Sequence, residues 1–389
     1  MTRKTTNIPS HSRRKCRVMR LLDLRNLALA LAIIVICMPE SAIHADEASP
    51  ALRAHRKPVD RAVDSALAFL ARSQTANPAK DGSFSDWNGG TNGVVGLVGM
   101  SFLAHGYRPG APPYGETINS TIDYILSTSA DNGYLGVRGG KMYSHGIATL
   151  YLSEVSGMVD PRRQKRIDKV LPRALKVILD AQSRNQKGAW RYEPTSIDAD
   201  VSVTGWNLMA LRSARLNGAP VPKAAIDRAI GFIDSCRSRN LRLVDGARAS
   251  DDGGYWYHAP QYYSRRNYWI GGPSTPARTG GALLCRELSG RHDDATNRKA
   301  GDFILRHVKA HGFIKDGFHA YATYYCSQGM FQLGGHYWEK FGEAMYKHLL
   351  AKQQDNGAWF FKGRGEVYPT AMYTLALSVG YRQLPIYQR

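Results

Sequence analysis

The residue types best suited to chemistry in this 389-residue chain gather at a few places. Asp198 and Asp200 stand at the head of an apolar stretch from Val201 to Leu211, with Ser202 and Trp206 on the same stretch. A carboxylic acid there could donate a proton, or it could cap a helix by accepting free backbone N–H groups. His145 heads a second apolar stretch, Gly146 to Leu152, with Tyr143 beside it. It is a candidate acid or base, and equally a satisfied core histidine. His319, Tyr321 and Tyr324 punctuate a further apolar stretch, and Tyr368 begins the last. The densest cluster lies between Arg237 and Ser274. There Tyr255, Trp256, Tyr257, Tyr262, Tyr263, Tyr268 and Trp269 fall within fifteen residues, among His258, Arg265 and Arg266. Aromatic faces with interspersed donors suit flat apolar rings, sugars or cations, and arginine adds anion capture. The same cluster would also serve as a loop packed over the edge of a domain.

These groups need elements to position them, and the chain supplies a repeat. A glycine with polar and aromatic neighbours recurs at Gly82, Gly133, Gly188, the Gly253-Gly254 pair, Gly312 and Gly357. Before each glycine the apolar residues fall three and four apart, as in Val59, Val63, Ala66, Leu67 and Leu70, which predicts a helix packed on one side only. After each glycine the stretch is apolar nearly all round, which predicts a buried helix. No period-two segment of any length appears, so no strand is expected. Six amphipathic outer helices alternating with six apolar inner ones predict an all-α protein, an α/α toroid (α6/α6 barrel) of six helical hairpins. One hairpin alone could not bury its apolar face, whereas stacked neighbours would. An open superhelix is the alternative. In a toroid the starts of the inner helices, with Tyr143, His145, Asp198, Asp200, His319, Tyr321, Tyr324 and Tyr368, would converge on one mouth.

The N-terminus is of another kind. Residues 1–25 carry eight Lys or Arg, Leu27 to Met38 is apolar, and small residues precede Asp46. This pattern predicts a cleaved secretory signal over residues 1–45, with an uncleaved anchor as the rival. A linker over 46–57 and a toroid over 58–389 would follow, with an aromatic-rich insertion at 237–274. The formal charge is +20, and removal of residues 1–45 would leave +14. That favours anionic partners such as acidic lipid headgroups at a membrane surface, pyrophosphates or anionic glycans. No nucleic-acid motif is visible. Cys236, Cys285 and Cys326 are too few and too far apart for a disulfide framework and read as buried thiols, with a single Cys285–Cys326 bridge left open.

The sixth unit reads Gln353-Gln354-Asp355-Asn356-Gly357-Ala358-Trp359, and Gln182 to Trp190 repeats it with two extra residues. The first unit keeps Gln74 and Asp81-Gly82, with Phe84 in the Trp role. These copies resemble the Q-x-x-x-G-x-W repeat of the prenyltransferase and squalene-cyclase family across about 55–380. The resemblance implies an α/α toroid with a central cavity, and such motifs speak for fold rather than catalysis. In class II terpenoid cyclases a D-x-D-D-T segment protonates an alkene. Aligned on Thr204, the segment here puts Asp200 at the first acid and Ser202 at the proton donor. A register shifted onto Asp198-Ala199-Asp200-Val201 would restore an acid at Asp200 and misplace the Thr. Protein prenyltransferases hold zinc partly through a helix similar to Tyr321-Ala322-Thr323-Tyr324-Tyr325-Cys326, but Ala322 stands at the ligand position. No metal and no cofactor is therefore implied.

Three functions fit these residues. The first is an exported binding or scaffolding toroid of the cell envelope that holds an isoprenoid, a glycan or another anionic ligand through Tyr143, Asp198, Ser202, Trp206, Trp256, Tyr257, His258, Tyr262, Tyr263, His319, Tyr321, Tyr324 and Tyr368. The second is a terpenoid- or polyprenyl-processing enzyme acting through Asp200, with His145 as a further catalytic candidate. The third is a lyase or hydrolase of anionic polysaccharides, using His145, His258 or Tyr262 as base with arginine neutralising a uronate.

Overall fold

The computed structural model describes residues 49–242, 246, 248–259, 274–292 and 294–387. The expected signal over 1–45, and Tyr262, Tyr263, Arg265, Arg266, Tyr268 and Trp269, lie outside the described residues. The described chain forms twelve α-helices in six hairpins. The outer members are α1 (Pro50–Ala76), α3 (Gly115–Ser127), α5 (Pro161–Arg184), α7 (Lys223–Ser235), α9 (Ala295–His311) and α11 (Gly335–Leu350). The inner members are α2 (Asn92–Ala104), α4 (Lys141–Val155), α6 (Val201–Leu216), α8 (Pro276–Leu288), α10 (His319–Leu333) and α12 (Val367–Ser378). Each inner helix packs on the next, and α12 returns to α2, so the ring is closed. The open superhelix is thereby excluded.

The sequence pattern explains the layering. Every residue of α2 is buried, while α5 buries only Ile167, Ala174, Leu175, Ile178, Ala181 and Gln182 along one stripe. Inner helices meet at equal depth: a Cβ on Gly93 would contact Ser144, one on Gly146 would contact Trp206, and one on Gly280 would lie 2.7 Å from the Cys326 backbone nitrogen. They therefore run parallel, and all begin at one end of the ring, here called the mouth.

The first helix starts at Pro50, inside the stretch expected as a linker. Ser49 caps it by accepting from Leu52 N at 3.3 Å, and Trp338 Nε1 of α11 donates to the same hydroxyl at 2.8 Å. The insertion in the fourth unit carries an antiparallel ladder, β1 (Leu241–Arg242) with β2 (Arg248–Ala249), where no strand was expected. Its stem closes where Trp256 N donates to Cys236 O at 2.9 Å. Cys236, Cys285 and Cys326 are free and buried, so the Cys285–Cys326 bridge is not formed. Among the described residues no helix is long and apolar enough to cross a membrane.

Candidate functional site at the mouth of the toroid

The hairpin tips are built by one device used repeatedly. Gly82, Gly133, Gly188, Gly253, Gly312 and Gly357 all have positive φ, between 67° and 94°, a conformation glycine adopts without strain. Gln182 Nε2 donates to Gly188 O at 2.7 Å and to Ala225 O of the next outer helix at 2.8 Å. Gln74 does the same with Gly82 O and Thr117 O, and Gln353 with Gly357 O and Ala62 O, which ties the sixth unit to the first. Two residues past each of four glycines, a backbone N–H is taken by the following inner helix. Trp190 N donates to Thr204 Oγ1, Tyr255 N to Thr279 Oγ1, Trp359 N to Thr370 Oγ1 and Leu135 N to His145 Nδ1, at 2.9–3.2 Å.

His145 thus stands where other units keep a structural threonine. Its second nitrogen donates to Ala174 O at 3.1 Å, and burial pushes its imidazole down to about 4, so it is a neutral bridge between α4 and α5. This corrects its candidacy as a catalyst. His319, expected among the ligand contacts, also has structural partners. It stacks on His348 at 5.3 Å and meets Phe313 at a tilt, is bonded to the Tyr373 hydroxyl at 2.8 Å, and burial lowers it to about 4. It braces the fifth and sixth hairpins.

The remaining groups do converge. Asp200 is the N-cap of α6, and its Oδ1 accepts from Val203 N at 2.9 Å. The side chain is fully buried, and Oδ2 makes no close hydrogen bond but faces the Arg191 guanidinium and the Tyr257 hydroxyl, which acts on it as a weak donor. Burial pushes its carboxyl up to about 7, opposed by the Val203 bond, by the charge of Arg191, whose Nε lies 3.7 Å from Oδ2, and by the nearby Tyr257 hydroxyl. Tyr143 of α4, Tyr257 of the fourth unit and Tyr321 of α10 all feel the Asp200 charge. Burial raises each phenol well above its ordinary range, and the Ser202 hydroxyl pulls Tyr143 and Tyr321 part of the way back. Tyr143, Ser202, Tyr257, Tyr321 and Tyr368 are all half-buried and line the mouth, so both Asp200 and Ser202 belong to it.

Arg191 and Tyr192 complete this side and were not singled out in the sequence, although they directly follow the motif Trp190. The Arg191 guanidinium lies 5.0 Å from the Tyr192 ring and 5.9 Å from Tyr257, and it pairs with Asp198 at the lip. The Tyr192 and Tyr257 hydroxyls are 2.6 Å apart, and the guanidinium of Arg278 from α8 sits 5.3 Å from the Tyr257 ring. His258 stands at the margin, its Nδ1 bonded to Ala199 O at 2.7 Å and its ring against Tyr257. Across the mouth, Trp87 packs edge-on to Tyr368 at 5.3 Å with Arg364 over its face at 4.3 Å; Trp87 and Arg364 were also missed.

Trp206 and Tyr324 are not at the rim. They stack at 5.2 Å and 12° between α6 and α10, across α8, and both are fully buried. Tyr325 joins them over the glycines of α8, its ring 5.3 Å from Trp206. Trp256 is buried in the stem of the insertion. Trp206, Trp256 and Tyr324, expected among the ligand contacts, thus form the floor and wall below the rim. Among the described residues no three His, Cys, Asp or Glu side chains could jointly hold a metal.

No family model and no curated protein matches the sequence. Solved structures do match in fold. A single-residue variant of the type II terpene cyclase MstE from Scytonema, in complex with geranylgeranyl dihydroxybenzoate, aligns over 86% of this chain and 100% of its own with a TM-score of 0.55 and 13% identity. Another variant of the same cyclase, in complex with merosterolic acid A, gives 0.55 at 15% identity, over 86% of this chain and 100% of its own. The architecture is therefore the terpenoid cyclase-like α/α toroid.

Proposed function

We propose that this protein uses the mouth of its toroid to hold an isoprenoid-type amphiphile and does not cyclise it. The observation that carries this reading is the filled floor. Trp206 and Tyr324–Tyr325 sit one helical turn deeper than Ser202 and Tyr321, so the stack takes the depth a folded polyene would need. What remains is a shallow ring of half-buried aromatics, suited to an apolar chain or flat ring lying against it, with arginines at the lip for a polar head. An isoprenoid is supported by the neighbour that binds geranylgeranyl dihydroxybenzoate. The expected export segment would place this role in the cell envelope.

The test is to titrate the purified protein with geranylgeraniol and geranylgeranyl diphosphate while following tryptophan fluorescence, then extract and identify the ligand. The expected outcome is saturable binding, weakened about tenfold by Tyr321→Ala, with the ligand recovered unchanged. A second reading rests on the Asp200 oxygen without a close hydrogen bond, a proton-carrying group in a dry aromatic site. If a rearranged product appears and Asp200→Asn abolishes it, acid catalysis replaces binding as the function.

A further inference from the structure

Arg191 lies between two carboxylates in contrasting surroundings. Asp198 is 55% exposed at the lip, and Asp200, two residues further along the chain, is fully buried. The guanidinium is held against the rings of Tyr192 and Tyr257, so it can turn toward either acid with little loss of ring contact. In the structure it engages Asp198 and stays 3.7 Å from Asp200 Oδ2, an oxygen that makes no close hydrogen bond and has the Tyr257 hydroxyl as its nearest donor. Its preference has a plain cause. Pairing at the lip leaves both charges partly in water, whereas pairing with Asp200 would take a carboxylate and a guanidinium into the interior together.

We propose that Asp198 and Arg191 are a positioning pair that sets the charge of Asp200: Asp198 draws the guanidinium to the lip, and Asp200 is thereby left as a neutral carboxylic acid facing the tyrosines. The groups around Asp200 agree with this. Tyr143, Tyr257 and Tyr321 are neutral phenols, the Cys236 thiol is raised by burial and by Asp200 itself, and the Val203 N–H is the donor already used. Arg278 approaches the Tyr257 ring at 5.3 Å, and His258 bonds to Ala199 O at 2.7 Å. Arg191 is thus the cation with an ion-pair approach to Asp200 among the described residues. A neutral acid donates a hydrogen bond, so the mouth would select ligands presenting an oxygen acceptor, such as a hydroxyl, carbonyl or ester, over ammonium ligands. That last consequence rests on the mouth being a ligand site; the charge assignment does not.

The test needs no ligand. The Asp200 carboxyl carbon is followed by NMR in protein labelled with carbon-13 aspartate and is identified by its loss in Asp200→Asn. Asp198→Asn should free Arg191 for Asp200 and lower the Asp200 midpoint by about one pH unit, and Asp198→Glu should restore it. In an Arg191→Gln background the midpoint should start higher than in the native protein, and Asp198→Asn should then move it by less than about a third of that amount. Asp198→Ser provides a second route, since the Asp198 carbonyl bond to Asn185 does not depend on the side chain. An equal shift in both backgrounds would mean that Asp198 acts directly through space, and no shift in the native background would mean that Arg191 does not move; either result overturns the proposal. Failure of the isoprenoid titration with this titration intact would sink only the ligand reading.

Discussion

Two buried acids occupy opposite ends of neighbouring inner helices. Asp200 begins α6 at the mouth, and Glu154 lies in the last turn of α4 at the far end. Both are buried, and burial raises both carboxyls to about 7. Their partners differ. Glu154 accepts from the Ser213 hydroxyl on one oxygen and from Ile386 N at 3.3 Å on the other, so it fastens the C-terminal 3-10 helix, Pro385–Tyr387, against the ring. Asp200 uses one oxygen to cap a helix and leaves the other without a close hydrogen bond beside Arg191. The helix dipoles also differ, since an N-terminus stabilises a carboxylate and a C-terminus opposes one. A raised pKa therefore does not by itself mark a site. What marks Asp200 is a buried carboxyl oxygen without a close hydrogen bond, set beside an arginine and within reach of Tyr143, Tyr257 and Tyr321, a setting that Glu154 at the far end does not share.

The largest test of that contrast is pH. Each acid has a folded pKa raised above its ordinary value, so its contribution is fully present below about pH 4 and is lost as pH rises toward 7. Buried His145 and His319, lowered to about 4, act in the opposite sense, so the difference between variant and native protein is the cleaner measure. Glu154→Gln and Asp200→Asn should each gain stability over the native protein across this range, by up to roughly 3 kcal/mol above pH 7. Urea unfolding at pH 4.5 and pH 8 checks it. Combined with Arg191→Gln, the Asp200→Asn gain should grow and the Glu154→Gln gain should not.

Much of this architecture was legible in the chain. The turn glycines and the change from one-sided to all-round apolar stretches marked the hairpins, because a left-handed turn and a buried helix each constrain residue type locally. The start of α6 was legible for the same reason. The functional weight of individual residues was harder to read. His145 looked catalytic because its equivalence to Thr204 and Thr370 is a matter of one shared N–H partner, visible only once Leu135 and Trp190 are in place. Trp206 and Tyr324 looked like ligand contacts because an all-apolar helix does not declare which side faces the hollow. Arg191 was overlooked beside a conspicuous tryptophan, although a charge directly after the motif and before two aspartates was a usable signal. Glu154 was another, a lone carboxylate in an apolar run.

The next largest effect should come from Glu154→Ala. It orphans Ile386 N, while the Ser213 hydroxyl keeps Ser153 Oγ at 2.9 Å, and a buried donor without a partner costs about 1–3 kcal/mol. The expected outcome is a loss of roughly 2 kcal/mol in urea unfolding at pH 4.5, with the Ile386 amide exchanging its hydrogen faster than amides of α4. Ligand binding at the mouth should be unchanged, because Glu154 contributes no group to it.

The smallest effect should come from Asp200→Ala, although Asp200 is the more completely buried of the two. Alanine removes an N-cap, worth about 1 kcal/mol, and orphans only Val203 N at a helix start. It also removes a carboxyl that has been taken out of water with one oxygen lacking a close hydrogen bond, a penalty that offsets part of the loss. The net change at pH 4.5, where little of the ionisation penalty has appeared, should therefore stay below about 1 kcal/mol, and Asp200→Asn, which keeps the cap, should be no worse than the native protein. Equal losses for Asp200→Ala and Glu154→Ala would mean that the second Asp200 oxygen is as fully engaged as those of Glu154. The mouth would then hold a fastener like the one at the far end, and the acid there would have nothing to offer a ligand.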